Sequence, residues 1–287
     1  MYDSLNHFKS VSAHKLFIEA ADQNYLLARW MLVNAFHQEF YWQATQAIEK
    51  YFKASLLTND VSVSTMGHKL PDLESEHRKV FGDLAFARFC KPDALHSDFW
   101  RDEDYLKYLN RISRYGDPDG RYGLISWALG RSELFKLDQL VFALRRLTVG
   151  LDWIVGGEWE VSPGHETFAG QTYRQALEAD AQFLPRGLPG GLAIALRNPG
   201  RDRGDLLHAW NFEFSRNDDD LRKKAPPSVA PALGGFRNGF LFIHWDEIRR
   251  AEHLDPILFD GMMWLIDRIK LPRGEKEALR NELNRRK

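Results

Sequence analysis

The segment from Glu39 to Leu57 constrains the fold more than any other part of the sequence. Its apolar residues recur every three or four positions, the period of one helix face, while Glu49, Lys50 and Lys53 lie off that face. The apolar positions are Phe40, Ala44, Ala47, Ile48, Tyr51, Ala54 and Leu57. The pattern therefore predicts one continuous helix over residues 39–57, with this apolar face buried.

Other helical segments surround this one in the first 150 residues. Glycine and proline are few there and separate segments of helical period. The predicted helices cover Ala13–His37, a stretch starting near Pro71, Glu103–Ile112 and Ser132–Thr148. Because short loops make successive helices antiparallel neighbours, we expect residues 10–150 to form an up-and-down helical bundle.

The composition changes near Gly150. Residues 150–240 hold most of the prolines and many of the glycines, with apolar stretches too short for helices. The expected elements are a short helix over Gln171–Phe183, short strands at Asn211–Phe214 and Phe240–His244, and terminal helices over Pro256–Ile269 and Glu275–Arg286. We therefore expect a mainly α chain, in which residues 151–287 form a mixed, loop-rich extension that ends in helices.

Charge, cysteine content and motifs exclude several classes of protein. The 39 basic and 40 acidic residues give a net charge of −1, so the chain lacks a strongly basic coat for nucleic acid. Its one cysteine, Cys90, excludes an internal disulfide framework, and the apolar runs are too short for a membrane helix. Neither a secretory leader nor a HExxH, CxxC, GxGxxG, GxxxxGK[ST] or GxSxG motif is present. We expect a cytoplasmic protein without cofactor, metal or membrane contact.

The stretch Tyr41–Leu57 reads YWQATQAIEKYFKASLL, and Gly67-His68-Lys69-Leu70 follows ten residues later. This arrangement resembles the HEPN family, in which a helix of the form A-x-Q-A-I-E-K-x-x-K-A precedes a loop and H-x-L. The matching positions are Ala44, Gln46, Ala47, Ile48, Glu49, Lys50, Lys53, Ala54, His68 and Leu70. The resemblance covers about residues 13–150 and implies a bundle of four or five helices that is often homodimeric.

The polar residues of this motif have two interpretations. Glu49 and Lys53 are one helical turn apart and form either an ion pair or part of a dimer groove or phosphate site, together with Gln46 and Lys50. His68 either anchors the following helix or takes part in catalysis.

HEPN proteins divide into ribonucleases with an Arg-x(4–6)-His motif and non-catalytic members. His supplies proton transfer near neutral pH, and Arg binds the scissile phosphate. Residues 1–150 contain no pair with this spacing, so catalysis by the bundle is in doubt.

Two pairs occur further along the chain. Arg237, Asn238 and His244 are the first candidate catalytic set, with a buried β-like segment as the alternative. Arg203 and His208 are the second, with a basic surface loop as the alternative.

The stretch RNPGRDRG contains the residues best suited to contact phosphate. Arg197, Asn198 and Arg201 lie in this predicted loop. The alternative interpretation is a solvated surface loop that contacts no phosphate. The resemblance, together with these residues, implies a protein of stress or defence that binds or acts on RNA or nucleotides, in one form as a metal-independent endoribonuclease. The alternative is a non-catalytic, dimeric interaction module.

Overall fold

A computed structural model describes residues 2–33, 35–91, 97–117, 129–130, 132–157, 161, 165–185, 240–269, 271 and 274–287. These residues are mainly helical, which confirms the predicted α class. The β-structure among them is one isolated antiparallel bridge between Ile154 and Thr172.

The chain begins with a nearly continuous helical segment. Helix α1 (Leu5–Ala13) runs through a π-helical turn at His14–Ile18 into helix α2 (Glu19–Val33). The hydroxyl of Ser4 caps α1 by accepting a hydrogen bond from the amide of His7 at 2.9 Å. The helical segment therefore starts at this cap rather than at the predicted Ala13.

The helix predicted from the apolar period is confirmed. Helix α3 spans His37–Thr58, and its predicted inward residues Ala47, Ile48, Tyr51 and Ala54 are fully buried. Helix α2 packs against α3 as a helical hairpin.

Three more helices pack around α3. They are α4 (Leu70–Phe81), α5 (Tyr105–Tyr115) and α6 (Glu133–Arg146). Pro71 lies in the first turn of α4, where its missing amide hydrogen costs no helical bond. At the end of α5, a Cβ on Gly116 would overlap the side chain of Thr45 and lie 2.7 Å from the carbonyl oxygen of Tyr41. Glycine at this position therefore allows α5 to approach α3 closely.

A short helix follows in the middle of the chain. Helix α7 covers Tyr173–Ala179 and is shorter than the predicted Gln171–Phe183. The side chains of Thr172 and Gln175 form a capping box at its start. Arg146 donates hydrogen bonds to the carbonyl oxygens of Leu177 and Asp180 at its end, so α7 is fixed to α6.

The C-terminal part forms helices α8 (Phe240–Arg250), α9 (Pro256–Arg268) and α10 (Glu275–Arg286). The predicted strand at Phe240–His244 is wrong, because these residues begin α8. A short apolar run does not distinguish strand from helix, whereas burial of His244 and Ile248 one turn apart marks a helix face. The predicted strand Asn211–Phe214 lies outside the described residues.

The C-terminal helices pack against the start of the chain. Helix α9 contacts α1, and a Cβ on Gly261 would lie only 2.5 Å from the ring of Phe8. Beside this contact, Asp60 accepts hydrogen bonds from Lys9 at 2.8 Å and from the indole of Trp264 at 2.5 Å. Residues from both ends of the chain therefore form one hydrophobic cluster.

None of the helices in the described ranges has the length and apolar character that a membrane crossing requires.

Candidate functional site

Most of the catalytic and phosphate-binding residues predicted from the sequence lie outside the described part of the chain. These are Arg197, Asn198, Arg201, Arg203, His208, Arg237 and Asn238. His244 is described, and so are the five polar motif residues of α3 and the following loop.

His244 lies in a buried environment between α8 and the N-terminus. The residue is 5% exposed, its Nε2 is 2.9 Å from the hydroxyl of Tyr2, and its Nδ1 is 3.1 Å from Glu247 Oε2. Burial lowers the pKa of His244, although Glu247 acts in the opposite direction. This geometry differs from the exposed concave site expected of a catalytic His244, because both ring nitrogens face protein groups.

The structure brings the motif residues of α3 together. Glu49 Oε1 is 2.8 Å from both Lys53 Nζ and His68 Nδ1, and Lys50 Nζ donates to Gln46 Oε1 at 2.9 Å. We call Glu49, Lys53 and His68 the motif cluster. Glu49 is buried, whereas the side chain of His68 is 79% exposed. The cluster therefore fixes the loop before α4 to α3 and leaves one face of the imidazole in solvent.

Lys50 lies beside this cluster in a partly buried position. Burial lowers the pKa of Lys50, opposed by the charge of Glu49 and reinforced by that of Lys53. The motif thus contains a lysine whose ammonium is less favoured than usual.

Sequence reasoning missed a polar pocket between α5 and α6, here called the α5–α6 pocket. Its volume is about 490 Å³. Its residues are Arg101, Asp102, Glu103, Asp104, Lys107, Arg111, Tyr115, Leu129, Gly130, Ser132, Glu133 and Lys136. A pocket of this volume is in the range that holds small organic ligands.

A network of ion pairs forms the inner wall of the α5–α6 pocket. Arg111 Nε and Nη2 each donate to Glu103 at 2.7 Å, and the same Nη2 donates to Glu133 Oε1 at 2.8 Å. Lys136 Nζ donates to Glu103 Oε2 at 2.8 Å. Two carboxylates and two cations therefore balance one another.

The pKa values of the two carboxyl groups of this wall are shifted in opposite directions. Burial pushes the pKa of Glu103 upward, but hydrogen bonds from Arg111 and Lys136 outweigh it and hold the pKa below its usual value. At Glu133 burial dominates and raises the pKa, although Arg111 opposes the shift. Opposite shifts of neighbouring carboxyl groups are typical of functional sites, although structural ion-pair networks also produce them.

Three buried polar atoms at this wall have no hydrogen-bond partner within the described ranges. They are Arg111 Nη1, Glu133 Oε2 and Ser132 Oγ, and the last two belong to residues that are 2% and 1% exposed. Buried polar groups are normally satisfied, so these exceptions leave unused hydrogen-bonding capacity at the wall of the pocket.

A second buried polar cluster lies between α2, α3 and α6 and is called the core network. It contains Asp22, Tyr25, Arg29, Tyr51, Asp138 and Arg145. Asp22 accepts hydrogen bonds from Arg145 Nε at 2.9 Å, from Arg145 Nη2 at 3.2 Å and from the hydroxyl of Tyr51 at 2.6 Å. Asp138 accepts from Tyr25 at 2.5 Å and from Arg29. The core network joins three helices inside the protein.

We found no significant match to this chain among protein-family models, curated proteins or solved structures. Across the described segments, no group of three or more His, Cys, Asp or Glu side chains is placed to hold a metal ion.

Proposed function

We propose that this chain is a HEPN-like helical protein that binds RNA or nucleotides without cleaving them, and that it acts as a homodimer. The motif cluster carries this proposal. Three residues of the HEPN-like pattern, Glu49, Lys53 and His68, share one carboxylate oxygen although nineteen residues separate the first from the last. The pattern therefore corresponds to a spatial unit on a central helix, as a family motif requires.

The environment of the histidines favours the non-catalytic form of the proposal. His244 faces Tyr2 and Glu247 inside the protein. His77 packs between the rings of Phe52 and Phe81, and burial lowers its pKa to about 3, with a smaller contribution from Arg78. Neither imidazole is placed to exchange a proton with RNA near neutral pH.

One observation favours an endoribonuclease as a second candidate function. Glu49 holds the Nδ1 side of His68, and the rest of this exposed imidazole faces solvent. A carboxylate behind an imidazole fixes the orientation of a general acid or base. Lys50 would be the nearest cation for a phosphate, because Lys53 is buried and already donates to Glu49 Oε1.

Fluorescence anisotropy with labelled single-stranded RNA, together with gel analysis of the same RNA, separates these functions. We expect saturable binding that weakens with salt and intact RNA after long incubation with or without a chelator. Cleavage by wild type would contradict the non-catalytic proposal, and its loss in His68→Gln but not in His253→Gln would assign it to the motif cluster. Absence of both binding and cleavage would contradict both RNA functions.

Light scattering tests the homodimer. We expect a mass twice the 33.3 kDa of one chain at micromolar concentration. A mass of one chain under these conditions would remove dimerisation from the proposal.

A further inference from the structure

We propose that the α5–α6 pocket binds a phosphorylated sugar, with the sugar hydroxyls at Ser132 and Glu133 and the phosphate at Arg101 and Lys107. This ligand is compatible with RNA binding, but the inference depends on the pocket alone and not on the motif cluster.

The free hydroxyl of Ser132 is the first observation that supports a ligand. Ser132 occupies the N-cap of α6, where a serine side chain normally accepts a hydrogen bond from a backbone amide of the first turn. Here it makes no capping bond, and its buried Oγ has no partner in the described segments. Burying this hydroxyl unsatisfied destabilises the empty protein, and a ligand group that bonds to it would offset that cost.

The second observation is the free oxygen of Glu133. Arg111 binds Oε1, whereas Oε2 is buried without a partner in the described ranges. The oxygen Oε1 and the hydroxyl of Ser132 both face Gly130, since a Cβ on this glycine would lie 3.3 Å and 3.8 Å from them. The carboxylate of Glu133 and the hydroxyl of Ser132 therefore lie close together beside Gly130, among the residues that line the pocket.

The charge balance of the inner wall selects the chemistry of the ligand. Glu103 and Glu133 are matched by Arg111 and Lys136, so a cationic ligand would introduce an uncompensated positive charge. A neutral hydroxyl donates to Glu133 Oε2 without this cost. Neighbouring sugar hydroxyls can bond to the carboxylate and to Ser132 at the same time.

The rim of the pocket carries two cationic side chains, Arg101 and Lys107, beside the carboxylates of Asp102 and Asp104. Arg101 and Lys107 both line the pocket and are exposed. Their side chains make no hydrogen bond or ion pair with other described residues, while Asp102 and Asp104 accept bonds from Trp100 and from the amide of Lys107. Arginine and lysine are the side chains that bind phosphate most often, so a phosphate at the rim completes a ligand whose hydroxyls reach inward.

Isothermal titration calorimetry of the full chain with ribose 5-phosphate tests the site. We expect one saturable binding event, weaker binding of 2-deoxyribose 5-phosphate, and no detectable binding of ribose or inorganic phosphate at the same concentrations. Ser132→Ala should weaken binding roughly 2- to 10-fold and Glu133→Gln roughly 10- to 100-fold, the effects of losing a neutral and a charged hydrogen bond. Lys107→Gln should weaken binding and reduce its salt dependence.

Matched variants separate a ligand site from a folding defect. Glu178→Gln and Arg88→Gln change exposed residues outside the pocket and should bind as wild type does. Ser132→Ala removes a hydroxyl that has no partner in the described part of the chain, so this variant should fold normally, as thermal unfolding would show.

Three results would overturn the inference: no binding of ribose 5-phosphate by wild type, equal affinity in wild type and Ser132→Ala, or equal binding of inorganic phosphate. Titration with AMP distinguishes a free sugar phosphate from a nucleotide as the ligand. Tighter binding of AMP that is also weakened by Ser132→Ala would support a nucleotide that carries the same phosphorylated sugar. If wild type binds RNA but not ribose 5-phosphate, and Ser132→Ala binds RNA equally well, the inference about the pocket is overturned. The proposed RNA-binding function would not be affected by that result.

Discussion

The core network and the α5–α6 pocket contain the same chemical groups but differ in which of those groups are satisfied within the described residues. In the core network both oxygens of Asp22 accept hydrogen bonds, from Arg145 and Tyr51. In the pocket Glu133 Oε2 and Ser132 Oγ have no partner among the described residues. The carboxylate of Asp22 is thus satisfied within the fold, and the unsatisfied atoms of the core network in the described part of the chain are two donors, Arg29 Nε and Nη2. In the pocket an acceptor oxygen and a hydroxyl are among the unsatisfied atoms.

This difference indicates that the core network contributes to stability and the pocket to ligand binding. An ion pair that is buried and hydrogen-bonded fixes the relative position of helices, and removal of one partner leaves an unpaired charge inside the protein. A pocket that retains unsatisfied atoms is less stable than it could be, a common property of functional sites. We therefore expect substitutions in the core network to change stability and those in the pocket to change binding.

The largest effect is expected for Asp22→Asn. The substitution keeps the shape of the side chain but leaves the charge of Arg145 without its carboxylate, which should cost about 3–5 kcal/mol of unfolding free energy. Urea denaturation measures the loss. The matched control, Asp246→Asn, breaks the exposed pair with Arg250 and should cost no more than about 1 kcal/mol. Equal small losses in both variants would remove the distinction between the two environments.

Glu103→Gln should have a smaller effect. Glu103 accepts bonds from Arg111 and Lys136 but is partly solvent-accessible, so we expect a loss of about 1–3 kcal/mol at neutral pH. Because the folded state lowers the pKa of this carboxyl below its ordinary 4.5, its contribution is present above that value and is lost as the pH falls through the folded pKa. Denaturation of wild type and variant between about pH 3 and 7 should therefore show a difference that shrinks towards acid. A difference that grows towards acid would contradict the assignment.

The opposite sign is expected for Glu133→Gln. Burial raises the pKa of Glu133, so its contribution is fully present below the ordinary 4.5 and is lost as the pH rises through the folded pKa. A neutral glutamine avoids that loss, and the variant should gain stability relative to wild type as the pH rises, by less than about 1 kcal/mol. The same denaturation series provides the measurement. A variant that instead becomes less stable relative to wild type on the way to neutral pH would show that the pairing with Arg111 outweighs the burial of Glu133.

The smallest loss of stability is expected for Ser132→Ala. Its hydroxyl caps no amide and is buried without a partner among the described residues, so the unfolding free energy should fall by no more than about 0.5 kcal/mol, and removal of an unsatisfied buried group acts towards a gain. Loss of a working N-cap serine would cost about 1 kcal/mol, which a chemical denaturation curve resolves. A loss of that size would show that the hydroxyl has a structural partner.

The sequence predicts the elements of this fold better than its sites. The apolar period of α3 continues over many turns, so it predicts the element, its bounds to within two residues and the burial of its apolar positions. It does not predict that Glu49 and Lys53, which lie off the apolar face, are buried as well. The run that starts α8 is too short for a period to be recognised, and this explains the wrong strand at Phe240–His244. The π-helical turn between α1 and α2 has no signal in the apolar pattern.

The α5–α6 pocket could not be predicted because its contacts are tertiary. Arg111 binds Glu103 eight residues before it and Glu133 twenty-two residues after it, on another helix. A serine before Glu133 indicates a helix start, but its pattern does not show that the hydroxyl is left without a bond. The sequence predicts more of the motif cluster, because Glu49 and Lys53 are one helical turn apart. Only the contact with His68 depends on the tertiary fold.

Carbon-detected NMR of the side-chain carboxyl groups tests the central distinction most directly. On addition of ribose 5-phosphate, we expect the Cδ resonance of Glu133 to shift with saturation while the Cγ resonances of Asp22 and Asp138 stay in place. A Glu133 resonance that does not respond at any ligand concentration, or aspartate resonances that shift equally, would contradict the division between a structural core network and a binding pocket.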